Sequence, residues 1–162
     1  MFHFTKPFLQ FLKLKDDRPM QKFLSRERVR LEAAQLDIQH LQGVWTTLPG
    51  RRQAQLFITG EHFTMRFRRG DVYVGTFSVD PTQRPRAMDL RIIAGPESSV
   101  GKIALAIYQF DGEHLIWSPS LPGDPERPRA FPHHNDMDRL LLVFQRERGC
   151  VSKDNRDVRA SA

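Results

Sequence analysis

The sequence predicts an all-β fold, an eight-stranded antiparallel up-and-down barrel preceded by one helix. Between residues 41 and 148, short segments alternate apolar and polar side chains, turn signals separate them, and no helical pattern intervenes. Short links make consecutive strands antiparallel neighbours, and closure into a barrel removes the exposed edges. A two-sheet sandwich is the alternative, but its Greek-key crossings need longer connections than most of those present.

Three regions divide the chain. Residues 1–40 form an N-terminal extension rich in Lys, Arg, Gln and Leu, and we expect it to be helical from about residue 20. Residues 41–148 form the predicted barrel domain. Residues 149–162 are polar and lack apolar periodicity, which predicts a disordered tail.

The predicted helix extends from Met20 to Leu41. Leu24, Leu31 and Ile38 recur every seven residues, and Pro19 suits the first turn of a helix. We favour a helix that lies across the barrel and buries this stripe. The alternative is a filled barrel that acts as a protein-interaction module through this helix, which would recruit a partner or, as a short coiled coil through residues 20–41, a second copy.

The strands are predicted from period-two alternation and from the turn residues between them. In the third strand Phe63, Met65 and Phe67 face one way, and Gly75 allows a bend in the fourth strand. The eight segments cover residues 43–48, 54–60, 62–68, 71–80, 87–93, 102–110, 113–119 and 139–147.

Bulky apolar side chains dominate the face predicted to point into the barrel. Such a lining suits a small hydrophobic ligand, and the same side chains could equally fill the interior without leaving a cavity. The sequence leaves both interpretations open. The predicted lining consists of Phe63, Met65, Phe67, Tyr73, Phe77, Leu90, Ile92, Leu105, Ile107, Leu115, Trp117, Leu142 and Phe144.

A Gly-x-Trp motif, Gly43-Val44-Trp45, lies where the helix leads into the first strand. It resembles the signature of lipocalins. In that family the Trp closes one end of the barrel, and a basic residue near the end of the last strand lies over its ring. Arg146 is at the matching place, and a guanidinium over an indole contributes about 0.5–2 kcal/mol.

A closer resemblance covers nearly all of residues 41–147. The chain is similar to an uncharacterised lipocalin-like domain family expanded in planctomycete bacteria, which implies a lipocalin-like barrel and no established activity. Members often begin with an export signal, whereas this chain begins with a basic, interrupted leader. The matching stretches are LQGVW (41–45), FSVDPTQRPRAMDL (77–90), GPE (95–97), AIYQFDGEHLIW (106–117), a loop with Pro122, Gly123, Arg127, Pro128 and Phe131, and LLVFQRE (141–147).

No catalytic or metal-binding pattern is evident, so the sequence predicts neither an enzyme nor a cofactor. His133, His134, Asp136 and Asp138 cluster in a Pro-rich loop, but they lack the ligand spacing of a structured metal site. Cys150 follows the last strand, where nothing nearby supplies a base or a pocket.

Two charged residues have predicted structural roles. Asp89 is expected to bridge the DPTQRPRA loop through Arg84 or Arg86. Arg127, together with nearby Pro128, is expected to hold the long loop against one end of the barrel.

The charge balance is basic, with 25 Lys and Arg against 19 Asp and Glu, and the excess is spread along the chain. Without an accompanying motif it predicts a solvated basic surface and no nucleic-acid partner. No apolar run reaches the ~18 residues of a membrane span. Lys6 and Lys13 interrupt the apolar N-terminus. Phe2 to Leu14 could contact a membrane surface, but Pro7 interrupts any helix there, so a flexible terminus is the favoured interpretation. The lack of a clear signal peptide favours a cytoplasmic location.

Overall fold

The computed structural model describes residues 17–50, 52–133, 136 and 138–149. The N-terminal leader, most of the expected C-terminal tail, His134 and Cys150 lie outside the described residues. One helix precedes eight strands: α1 Arg18–Leu41, β1 Gly43–Thr47, β2 Ala54–Thr59, β3 His62–Phe67, β4 Val72–Asp80, β5 Arg86–Ala94, β6 Ile103–Asp111, β7 His114–Pro119 and β8 Leu142–Arg146.

The strands form a closed antiparallel barrel in sequence order, which confirms the predicted fold class and rules out the sandwich. Closure occurs between β1 and β8, where Trp45 is opposite Arg146 and Thr47 is opposite Phe144. A bulge between Val74 and Gly75 interrupts the β4–β5 ladder. A Cβ at Gly75 would lie 1.9 Å from the carbonyl oxygen of Arg91, so this close approach requires glycine.

The meander gives the barrel two different ends, because each strand reverses the direction of the one before it. The β2–β3, β4–β5 and β6–β7 turns meet at the end where β1 begins, directly after α1. The β1–β2, β3–β4, β5–β6 and β7–β8 connections meet at the other end. We call these the closed end and the open end.

The C-terminal part of α1 covers the closed end. Leu41 is fully buried, and Ala34 and Ile38 pack against the barrel core. Asp37 accepts a hydrogen bond from the Tyr108 hydroxyl at 2.6 Å and pairs with Arg86 at 3.0 Å. The predicted packing of the helix on the barrel is therefore confirmed for Ile38 and wrong for Leu24 and Leu31, which are 57% and 66% exposed because they lie beyond the edge of the barrel.

The predicted orientation of β6 was wrong. Leu105 and Ile107 do not belong to the barrel core, whereas Ala104, Ala106 and Tyr108 do. Strand pairing shows which face of β6 points inward, because inward-facing Leu90 is opposite Ala104 and inward-facing Met88 is opposite Ala106. Both faces of β6 are apolar, so choosing the larger side chains as the inner ones selected the wrong face.

The outer face of β6 is apolar because it is also covered. Ile107 is only 1% exposed and lies between Ala87 on β5 and Ser118 on β7, which are buried as well.

Two predicted element boundaries needed small corrections. The helix α1 begins at Arg18, two residues before the predicted start, and β8 begins at Leu142, three residues after the predicted start.

Candidate ligand cavity at the open end of the barrel

A cavity of about 1220 Å³ occupies the open-end half of the barrel and runs out between the rim loops. Pockets for small molecules typically enclose ~300–1,000 Å³, and this one is larger because it includes the mouth. Its floor is formed by side chains of β3, β5 and β6, and residues of the β1–β2, β3–β4 and β7–β8 connections form its rim. Phe63, Met65, Leu90 and Ile92 at its floor are only 2–4% exposed, so most of this volume lies at the mouth, between the rim loops.

Seven of the thirteen residues predicted to line the barrel border this cavity. They give the floor and lower wall an apolar, aromatic surface, in which the rings of Phe67 and Tyr73 meet edge to face with centroids 5.9 Å apart. The seven are Phe63, Met65, Phe67, Tyr73, Leu90, Ile92 and Trp117.

The other predicted lining residues lie elsewhere. Phe77, Leu115, Leu142 and Phe144 are buried in the core but do not border the cavity. Leu105 and Ile107 lie on the outer face of β6, as described above. Ala104 borders the cavity and was missed, because a small side chain in an apolar segment gives no sign of which face it occupies.

Trp45 and Arg146 close the opposite end. The indole is 0% exposed and donates a hydrogen bond from Nε1 to the carbonyl oxygen of Leu41 at 2.8 Å. The guanidinium carbon of Arg146 lies 4.2 Å from the centroid of the indole, so the predicted contact is present. The same guanidinium donates hydrogen bonds to the carbonyl oxygens of His40 and Gln42 at the end of α1. A ligand must therefore enter from the open end.

Tyr108 adds a polar contact beneath the helix. Its side chain is buried in the core, and its hydroxyl reaches Asp37. Burial, reinforced by the bond to this carboxylate, raises the pKa of the Tyr108 hydroxyl well above its usual range.

Trp117 differs from Trp45 in its hydrogen bonding. In the described part of the chain, its Nε1 is the only buried side-chain nitrogen or oxygen atom without a hydrogen-bond partner. An unpaired buried donor costs about 1–3 kcal/mol, so this indole is held by packing rather than by polar contacts.

Arg127 anchors the long β7–β8 connection, but against the side of the barrel rather than its end. It donates hydrogen bonds to the carbonyl oxygens of Met88 and Ala106 and pairs with Asp89 at 2.5 Å. The predicted bridge from Asp89 to Arg84 or Arg86 was wrong: Arg86 pairs with Asp37, and Arg84 donates to the carbonyl oxygens of Pro81 and Gln83.

The cavity rim is rich in arginine. Arg52 lies in the β1–β2 connection, Arg68 and Arg69 form the β3–β4 turn, and Arg139 precedes β8. Within the described residues, the side chains of Arg52, Arg69 and Arg139 form no hydrogen bond and no ion pair. The sequence gives no sign of this feature, because the arginines are far apart along the chain and only closure of the barrel brings their loops to one mouth.

No group of three or more possible metal ligands occurs among the described residues, which include His133, Asp136 and Asp138. No helix in the described part of the chain is long and apolar enough to span a membrane.

Comparisons with models of known protein families, with curated protein sequences and with solved structures each return no significant match.

Proposed function

We propose that this protein is a non-enzymatic, lipocalin-like barrel that binds a small hydrophobic molecule in its interior. The observation that carries the proposal is the open cavity, which has an apolar floor formed by residues such as Phe63, Met65 and Ile92. Burial of an alkyl or aromatic ligand there gains about 25 cal/mol for each Å² removed from water. Because Trp45 and α1 block the other end, the cavity has one entrance.

Membership in the planctomycete lipocalin-like family is part of the same proposal. It is supported by the arrangement of Gly43, Trp45 and Arg146 around the closed end, which is what the resemblance implies. The cytoplasmic location expected from the sequence is likewise a proposal.

Binding can be tested with Nile red, a neutral dye whose emission rises in apolar surroundings. Ala104→Phe adds a ring to the cavity wall, whereas Ala94→Phe adds the same ring at an exposed position near the same end of the barrel. We expect saturable binding by the native protein and by Ala94→Phe, and weaker binding by Ala104→Phe. No saturable binding by the native protein, or equal binding by both variants, would contradict the proposal.

A second candidate function is self-association through α1. Met20, Phe23, Leu24 and Leu31 continue the helix face that packs on the barrel at its C-terminal end, yet all four are 57–66% exposed. They recur at helical spacing, so they form one apolar stripe beyond the edge of the barrel.

Glu27 and Arg28 lie in or beside this stripe and pair within α1 with Arg30 and Glu32, in exposed contacts that can exchange partners with a second copy in antiparallel orientation. When Leu24 is placed opposite Leu31 of the second copy, Glu27 falls opposite Arg28 of that copy. The symmetry repeats both contacts, so two apolar pairs and two opposite-charge pairs form together. A membrane surface is less suitable, because it would leave the Glu27 carboxylate against lipid.

Two double variants separate a specific interface from general hydrophobicity. Leu24→Lys with Leu31→Lys disrupts the stripe, whereas Val29→Lys with Leu36→Lys changes two equally exposed apolar residues on the opposite face of α1. Light scattering over a series of concentrations should show a dimer for the native protein and the control, and a monomer for the stripe variant. A monomeric native protein, or a stripe variant that still dimerises, would overturn this candidate.

A further inference from the structure

Charge is unevenly distributed around the mouth of the barrel. Four rim arginines lie just before β8 and in the β1–β2 and β3–β4 connections, which are consecutive around the barrel. They are Arg52, Arg68, Arg69 and Arg139. We call these four residues the basic sector. The part of the β7–β8 connection nearer β7 also borders the mouth, but its charges balance, with Asp124 and Glu126 beside Arg127 and Arg129.

The basic sector is held together by a contact between two of its loops. Arg68 donates from Nη1 to Oε1 of Gln53 at 2.6 Å, and its backbone N–H donates to the carbonyl oxygen of Gln53 at 2.9 Å. These bonds tie the β3–β4 turn to the β1–β2 connection, and so they place Arg52 and Arg69 on adjoining loops.

The sector keeps a net positive charge after its acidic neighbours are counted. Asp71 and Asp138 lie beside it on the rim, and neither forms an ion pair among the described residues. Four arginines therefore face two carboxylates at an entrance whose floor is apolar. Low-dielectric walls strengthen the attraction of such a sector for an anion.

We propose that the cavity ligand is an amphiphile with one alkyl chain and an anionic oxygen head group, and that the basic sector binds the head. The inference rests on the proposed function, because it requires the alkyl chain to occupy the apolar floor near Phe63 and Met65. The planar guanidinium presents paired N–H donors that match carboxylate or phosphate oxygens, so arginine suits this role better than lysine.

The experiment compares displacement of Nile red by four probes with the same alkyl chain: laurate, dodecyl phosphate, dodecanol and dodecyltrimethylammonium. We expect at least one of the two anions to bind about five- to tenfold more tightly than dodecanol, and the cation to bind most weakly. Added salt should reduce the advantage of the anion, because the basic sector is exposed to solvent. The better of the two anions identifies the head group.

Each negative result has a distinct meaning. If dodecanol displaces the dye as well as both anions do, the cavity is a hydrophobic site and the head-group inference is wrong. If the dye itself does not bind, the proposed function fails together with the inference. If the dye binds and none of the four probes displaces it, the head-group inference alone is wrong.

Charge-removal variants then assign the preference to the basic sector. Arg69→Gln with Arg139→Gln should bring the affinity of the preferred anion close to that of dodecanol, while dodecanol binding stays unchanged. Lys22→Gln with Arg26→Gln removes the same net charge from α1, away from the cavity, and should preserve the preference. An equal loss of preference in both double variants would overturn the assignment.

Discussion

Arg146 stacks its guanidinium on the buried indole of Trp45 and at the same time hydrogen-bonds the last carbonyl groups of α1. One side chain on the last strand therefore joins the first strand and the preceding helix. The two residues are also opposite each other in the β1–β8 ladder that closes the barrel. This contact makes the closed end a packed lid, so the cavity opens at the other end.

Arg146→Lys should destabilise the protein although it keeps the charge. Lysine cannot reach two carbonyl groups and lie flat on the ring together, so we expect the free energy of unfolding to fall by about 1–3 kcal/mol in urea denaturation. Arg148→Lys, two residues away in an exposed pair with Glu113, should change little. Similar losses in the two variants would contradict the role of Arg146.

The two tryptophans should respond differently to replacement by phenylalanine. Trp45→Phe removes the bond to Leu41 and leaves space in a fully buried site, so we expect a loss of about 2–4 kcal/mol. Trp117→Phe removes an unpaired N–H beside a cavity, and we expect a loss of about 1 kcal/mol or less. Urea denaturation of both variants measures the difference, and equal losses would argue against the described roles.

Tyr108 should make stability depend on alkaline pH. Its pKa is raised in the folded protein, mainly by burial, so the folded state holds the phenolic proton more tightly than the unfolded state does. This contribution is complete below the ordinary tyrosine pKa of about 10 and is lost as pH rises above it. Urea denaturation between neutral and strongly alkaline pH should show this loss for the native protein and for Tyr73→Phe. Tyr108→Phe should show a smaller loss, and an unchanged alkaline profile in that variant would refute the prediction.

Arg127 should determine how firmly the long β7–β8 connection is held. Arg127→Ala removes two hydrogen bonds to carbonyl groups and one ion pair, so we expect a loss of about 2–3 kcal/mol and faster proteolysis within residues 120–141. Arg129→Ala, whose side chain has no partner among the described residues, is the matched control. Equal cleavage rates in the two variants would show that Arg127 is not the anchor.

The fold was predictable because its determinants are local. The alternation around Phe63, Met65 and Phe67 and the turns between strands give the strand count, and the position of Trp45 after a helix identifies which end is closed. The orientation of β6 was not predictable, because both of its faces are apolar and only pairing with β5 decides between Leu105 and Ala104.

The candidate site was predictable only in its apolar part. The apolar floor of the cavity can be predicted from the alternation of apolar and polar residues. The size of the cavity depends on which inward-facing side chains are small, such as Ala104, and the alternation does not reveal this. The arginines of the rim are indistinguishable in sequence from ordinary surface charge. Arg127 was expected to hold its loop, but its partners come from strands distant in sequence, and so the surface that it contacts could not be predicted.

The central claim is an apolar cavity that opens at the end away from Trp45. It is tested most directly by contact quenching of tryptophan emission with a neutral long-chain alcohol that carries two bromine atoms, in Trp45→Phe and Trp117→Phe variants that each keep one tryptophan. Trp117 borders the cavity and Trp45 lies outside it, so the alcohol should quench Trp117 saturably and leave Trp45 unaffected. Quenching of Trp45, or of neither residue, would contradict the claim.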